Sequence, residues 1–144
     1  MSEKTQKKQS KRRETGCPVA FSLDVFGDRW TLLIIREMMI AGKNTYSDFL
    51  EAEEAIATNI LIDRLKLLEA EGIVKKERDP ENRRSFIYHL TEKGEDLAPI
   101  LVEMITWAGK YDQRDIAQKQ MVKLANANKA GFEEKLRDKA PVTG

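Results

Sequence analysis

Apolar residues recur with a helical period through most of the chain, and the interruptions mark where its elements begin and end. The clearest stretch is "ATNILIDRLKLLEAEGIVKKE", from Ala57 to Glu77. Leu61, Leu65 and Leu68 fall on one side of a helix, with Ile60 and Leu67 beside them, and Asn59, Ile62, Asp63 and Lys66 fall on the other. Thr58 is the expected N-cap of this helix, and Gly72 lets the chain reverse after it. "IVKKER" and "SFIYHL" then read as antiparallel strands around "DPENRR", where Asp79, Pro80 and Asn82 are turn formers.

Upstream, a short helix is predicted over Val19 to Phe26, with Gly27 as its left-handed stop. Asp28 is a suitable N-cap for a second helix that carries Trp30, Leu33, Ile34 and Met38 on one side and ends by Gly42. "TYSD", Thr45 to Asp48, has the form of a capping box with aspartate in place of glutamate, and it opens a short helix with Tyr46, Phe49 and Leu50 available for packing. A linker covers Glu51 to Ile56. Downstream, Thr91 is expected to cap one long helix beginning "EKGEDLAPILVEMITWAGKYD". "DIAQKQMVKLANANKAGFEEKL" is a further helical stretch. Helix, helix, short helix, turn, helix, two-strand ribbon and long helix make a mainly α chain with the layout of a winged helix-turn-helix. No βαβ unit is present, which excludes a dinucleotide fold. The reading divides the chain into a tail at residues 1–15, a winged-helix domain at 16–111 and a helical C-terminal extension at 112–144.

Composition alters this picture in few places. The 144 residues suit one domain with an added arm, and 41% apolar content supports a real core. The net charge of +1 identifies no partner, but its distribution is uneven. Lys4, Lys7, Lys8, Lys11, Arg12 and Arg13 crowd the first residues almost without apolar neighbours, so that tail is expected to be disordered. No apolar run reaches the ~18 residues of a membrane span, and the amino terminus lacks a secretory h-region. The single cysteine cannot close an internal disulfide. A cytoplasmic location is the simplest expectation. No HExxH, Walker loop or nucleophile elbow occurs, and His89 has no second histidine to share a metal; no catalytic residue, metal site or cofactor is expected.

From "CPVAFSLDVFGDRWTLLIIREM" through "YSDFL" and "IATNILIDRLKLLEAEGIV" to "RRSFIYHLTEKGEDLAPILVEMITW", the chain resembles the HxlR-type winged-helix transcription regulators, relatives of the MarR group. The resemblance spans roughly Cys17 to Tyr111. It implies a homodimeric, DNA-binding regulator of transcription. The chain departs from the family pattern at Ala55, where many members carry glycine, and after Tyr111, where it is longer than the usual family core.

The residues themselves support the DNA-binding expectation. A recognition helix grips its domain with one side and enters the major groove with polar side chains near its amino end. Thr58 suits a phosphate or a thymine methyl, Asn59 an adenine edge, Ile62 a methyl group, Lys66 a phosphate, and Asp63 a cytosine amine or a neighbouring cation. Arg83 and Arg84 at the ribbon tip, with Lys75, Lys76 and Arg78 along the strands, suit a DNA backbone or a narrow minor groove. Lys43 is placed to meet phosphate with the amides that open the short helix. The alternatives are a solvated helix face and a winged helix that binds protein instead of DNA; the acidic turn of Glu51, Glu53 and Glu54 favours the latter unless it faces away from phosphate. Arg64 is expected on the buried side, paired with an acid or a carbonyl.

The long helix is apolar around most of its circumference, with Leu97, Leu101, Met104 and Ala108 in one stripe and Ala98, Val102 and Ile105 in a second. Such a helix needs more than one packing partner. A second copy of the chain is one candidate, using Val19, Phe21, Phe26, Leu97, Leu101, Met104, Ile105 and Trp107. The C-terminal extension is the other, through Ile116, Met121, Val122, Leu124, Phe132 and Leu136. Cys17 lies between the basic tail and the first helix, where nearby arginines and a helix start favour a thiolate. Several members of the resembled family use a cysteine near this place to sense oxidants or electrophiles; the alternative is an ordinary small, partly buried side chain. Nothing in the sequence identifies an effector molecule.

Overall fold

Helix entry into the core begins at Asp28. Its carboxylate accepts hydrogen bonds from the amides of Trp30 (2.8 Å) and Thr31 (3.0 Å) and from the Thr31 hydroxyl (2.5 Å). The computed structural model describes residues 14–138; the basic tail before Glu14 and residues 139–144 lie outside the described residues. In chain order the elements are α1 (Pro18–Phe26), α2 (Thr31–Met39), α3 (Tyr46–Leu50), α4 (Thr58–Ala70), β1 (Val74–Arg78), β2 (Phe86–Leu90), α5 (Glu92–Glu95), α6 (Ala98–Tyr111), α7 (Lys119–Ala127) and α8 (Lys129–Arg137).

The core forms where the apolar sides of these helices meet. Ile34, Ile35, Met38 and Met39 of α2 and Phe49 of α3 pack with Leu61, Leu65 and Leu68 of α4. Val74, Tyr88 and Leu90 close it from the ribbon, with the Phe49 and Tyr88 rings 6.1 Å apart. Strands β1 and β2 pair antiparallel, from Val74 opposite Leu90 to Arg78 opposite Phe86. The residues before α3 clamp this ribbon: Thr45 bridges to Ile87, and the Tyr88 amide donates to the Asn44 carbonyl at 2.8 Å. The wing is thereby held against the helix-turn-helix rather than hinged from it.

The capping box forms as expected. Thr45 Oγ1 accepts from the Asp48 amide at 3.2 Å, and Asp48 Oδ2 accepts from the Thr45 amide at 3.3 Å. Three boundary expectations are corrected. Gly27 is right-handed (φ −76°), not a left-handed stop; glycine suits it because a Cβ would collide with the Leu23 carbonyl. Thr58 is the first helical residue and not the cap, since Ala57 takes the cap position without a side-chain bond. Buried Ile56 anchors the chain just before this entry. Finally, the long helix is two. Thr91 caps only α5, accepting from the Gly94 amide at 3.2 Å. Pro99 cannot donate a helical hydrogen bond, and α6 starts afresh at Ala98.

Ala55 adopts φ +55°, a left-handed conformation that costs an alanine about 1–2 kcal/mol. Ala55→Gly should remove this cost, partly offset by the extra freedom of the unfolded glycine, and stabilise the fold by up to about 1 kcal/mol. Urea denaturation would show a raised midpoint with an unchanged slope.

The extension covers part of α6. Ala125, Phe132 and Leu136 are buried, and Gly109 of α6 admits Val122 of α7 at a distance no Cβ would tolerate. Lys129–Glu103 (2.5 Å) and Arg137–Asp96 (2.7 Å) pin α8. Asn128 separates α7 from α8, and its side chain accepts from the Gly131 amide at 3.0 Å. Ile116, expected to join this packing, is instead 80% exposed in the loop before α7. Leu97 and Leu101, expected at an interface between chains, are buried in the protomer's own core, toward which their wheel position turns.

Candidate nucleic-acid interface

The burial of Leu61, Leu65 and Leu68 sets the rotation of α4, and the opposite row follows from it. Thr58, Asn59, Ile62, Asp63 and Lys66 are all exposed. A groove of about 400 Å³ runs beside this row, between α4, the start of α3 and the wing. Ile62, Lys66 and Glu69 line it from α4, Thr45, Tyr46 and Ser47 from the α3 side, and Lys76, Arg84 and Phe86 from the ribbon.

Local hydrogen bonds shape the wing tip. The Glu81 amide donates to Asp79 Oδ1 at 2.9 Å, and the Ser85 amide to the Asn82 carbonyl at 2.9 Å, leaving Arg83 and Arg84 exposed at the turn. Arg78 folds back to donate to the Arg83 carbonyl. The Phe86 ring gathers the strand cations: Lys76 Nζ lies 4.4 Å and Arg78 Cζ 4.9 Å from its centre. On the other face of the ribbon, His89 Nε2 sits 2.7 Å from Glu77 Oε1.

The candidate site gains Ser47 and Phe86, which reading by residue type had not assigned to it, beside Lys76, which was expected along the strand. Strand alternation carried the signal for Phe86. Lys76, Arg78 and Phe86 share the ribbon face that also carries buried Val74, Tyr88 and Leu90.

Lys43 is half-buried, and the capping box already engages the amides of Asn44, Thr45 and Asp48. Those three are taken up internally, so any phosphate contact by Lys43 would rest on its charge. Burial alone would raise the Asp48 carboxyl, but the Asn44 and Thr45 hydrogen bonds and the Lys43 charge outweigh it and hold the group below its ordinary value.

The acidic turn lies elsewhere. Glu51, Glu53 and Glu54 line a different cleft, shared with Arg36, Glu37, and Gln118 and Met121 of the extension. Arg36 grips Glu54 with both terminal nitrogens, at 2.8 and 2.7 Å. The Arg36 hydrogen bond holds the Glu54 carboxyl down at about 2, and the same guanidinium also donates to Glu37 at 2.6 Å. Arg64 leans inward, between Asp28 and Asp63.

Away from the groove, α1 contains no buried residue. Val19, Phe21 and Leu23 are 66%, 69% and 56% exposed, while Phe26 is half-buried against the core. On α6, Met104, Trp107 and Tyr111 are exposed, Trp107 packs beside Tyr111 with ring centres 5.3 Å apart, and Ile105 is half-buried. Pro99, Ile100, Met104 and Trp107 line an open apolar groove of about 580 Å³ on this helix. Cys17 is exposed at the N-cap of α1; Arg12 and Arg13, expected beside it, lie outside the described residues.

A helix-turn-helix whose second helix exposes a polar row beside an arginine-tipped ribbon defines the winged helix-turn-helix class of DNA-binding protein. Comparisons with known proteins narrow the class. The model of the HxlR-like helix-turn-helix family matches residues 25–116. The HTH-type transcriptional regulator YybR of Bacillus subtilis (strain 168) is 36% identical over 114 residues, which are 79% of this chain and 89% of that protein. YodB of the same organism is 39% identical over 100 residues, 67% and 87% of the two chains. Its reduced form superposes with a TM-score of 0.56 and 31% identity, covering 69% of this chain and 97% of that one. The redox regulator HypR in its oxidized form gives a TM-score of 0.58 and 36% identity, covering 69% and 100%. The chain belongs to the HxlR-like helix-turn-helix family and is a DNA-binding transcriptional regulator. Among the described residues no helix is long and apolar enough to cross a membrane.

Proposed function

We propose that two copies of this chain form a cytoplasmic homodimer that binds operator DNA, each copy reading the major groove with α4 and holding the backbone or minor groove with its wing. The observation that carries this reading is the exposed row of Thr58, Asn59, Ile62, Asp63 and Lys66 beside a groove bordered by Lys76 and Arg84. In this assignment Arg83 and Arg84 meet phosphates, Arg78 and Lys76 support them, and Lys43 adds charge. The winged-helix unit is residues 16–111, and 112–144 is an extension that restricts how α6 can be approached.

Pairing is supported by α1. A helix of this length is marginal in water by itself, yet among the described residues this one has no fully buried side chain, with only Val25 and Phe26 half-buried against the core. A second copy that covers Val19, Phe21, Met104, Ile105 and Trp107, with Phe26 at the margin, would remove that apolar surface from water. Two recognition helices would then meet half-sites about one DNA turn apart.

Cys17 is the group through which binding responds to oxidants. It is exposed, and HypR, a relative in structure, is described as a redox regulator. With one thiol per chain, two Cys17 residues form an intersubunit disulfide by losing two protons and two electrons to a peroxide or diazene oxidant; a single thiolate instead adds directly to an electrophile. Footprinting upstream of the protein's own gene, with and without oxidant, tests both parts. A protected site whose affinity changes about tenfold on oxidation in the wild type, and not in Cys17→Ser, is expected. No protected site overturns the operator, and equal responses of the two proteins overturn the sensing role.

A further inference from the structure

Arg64 occupies an unusual position behind the reading row. Its Nη1 stands 3.5 Å from Asp28 Oδ1 and its Nη2 3.3 Å from Asp63 Oδ2. Among the described residues, its Nε is a buried side-chain donor without a hydrogen-bond partner. Burying such a group is costly, so its placement needs a reason.

The two carboxylates it bridges differ. Asp28 is fixed by the Trp30 and Thr31 amides and the Thr31 hydroxyl, and cannot follow the guanidinium. Asp63 has no such anchor in the backbone; its side chain is 59% exposed on the outer side of α4. Neighbouring helix residues diverge by about 100° around the axis, so Asp63 reaches Arg64 only by turning its carboxylate sideways off the row. The result is an ion pair, without a hydrogen bond, that ties an acid on the exposed row to a cation beside Asp28 at the entry to α2.

This tether has two effects. The guanidinium compensates an acid that would otherwise repel phosphate. It also engages Oδ2, which restricts the directions in which Oδ1 can accept. In the major groove cytosine offers an N4 donor, whereas guanine and thymine present acceptors that repel a carboxylate and adenine presents a donor beside an acceptor.

We propose that Asp63 is a specificity-determining residue that selects cytosine through its N4 amine, and that Arg64 is the positioning residue that holds Asp63 for this role. The inference rests on the proposed major-groove reading by α4.

Selection of full-length protein on duplexes with a randomised centre, followed by titration of the enriched sites, tests it. The wild type should enrich a cytosine at one position of each half-site, and replacing that base should weaken binding about tenfold. Asp63→Asn should lose the cytosine preference at that position, moving it toward adenine, and bind the wild type's best duplex about tenfold more weakly. Arg64→Gln should flatten the same position, and Arg64→Lys, which keeps the charge without the planar fork, should give an intermediate preference. Should Arg64→Gln fail to fold, the intermediate preference of Arg64→Lys carries the positioning test. A purely structural role for Arg64 would weaken all duplexes alike and leave the preference intact, which overturns the positioning role. An Asp63→Asn profile identical to wild type overturns the selection of cytosine. If the wild type enriches no sequence at all, the major-groove reading itself is overturned.

Discussion

Trp107→Glu should yield a monomer that binds operator DNA at least about a hundredfold more weakly than the wild type. Trp107 is 68% exposed within the protomer, so an acid there costs the isolated fold little. At the proposed interface it would bury a carboxylate in an apolar patch that includes Met104 and Ile100. Tryptophan is prominent among residues that dominate interface energetics, and its loss is expected to be felt more than that of its neighbours. The consequence for DNA follows from linkage of two reading heads: a bound first head holds the second at high effective concentration, and separating them removes about 10²–10⁴ of avidity. Light scattering at micromolar protein and a DNA titration on one operator measure the two effects together. A wild type that is monomeric at that concentration, or a Trp107→Glu variant that stays dimeric, would sink the interface.

The paired substitution Arg83→Gln and Arg84→Gln should act differently, through salt dependence. Each phosphate neutralised by a cation contributes about 0.9 to the slope of log affinity against log salt. If each arginine meets one phosphate, the dimer loses about 3.6 of its slope, and affinity near physiological salt falls by about 10²–10³. Base preferences set by α4 should survive, because phosphate contacts position the protein and carry no sequence information. Titrations at several salt concentrations decide it: an unchanged slope would place the wing away from the backbone. The exposure of both side chains at a turn held by Asp79 and Asn82 makes a folding defect an unsuitable explanation for lost affinity.

Much of this site could be read along the chain because it depends on local periodicity. The leucines of α4 dictated which side faced inward, and so the opposite row followed. The Thr45–Asp48 box and the turn at Asp79–Asn82 are short-range hydrogen-bonding patterns that form as their residue types suggest. Competition between neighbouring signals was harder to resolve. Thr58 is a good cap by type, yet Ala57 holds the cap position after buried Ile56. Pro99 cut a helix whose apolar pattern continued across the break.

The order of elements, the inward side of each helix, the reversal at Gly72 and the arginine-tipped ribbon were all properties of the chain by itself, since each arises from residues a few positions apart. The partners of those surfaces were not. Leu97 and Leu101 share a stripe with Met104, but only the assembled core separates the buried pair from the exposed residue, because a helical wheel gives direction and not distance to a neighbour. Likewise the acids of the turn came to line a cleft apart from the groove, Glu54 among them held by Arg36, and Arg64 came to bridge Asp28 and Asp63. Apart from Asp63, which precedes Arg64 directly, those contacts join segments remote in the chain, and no local pattern encodes which remote charge will be brought alongside.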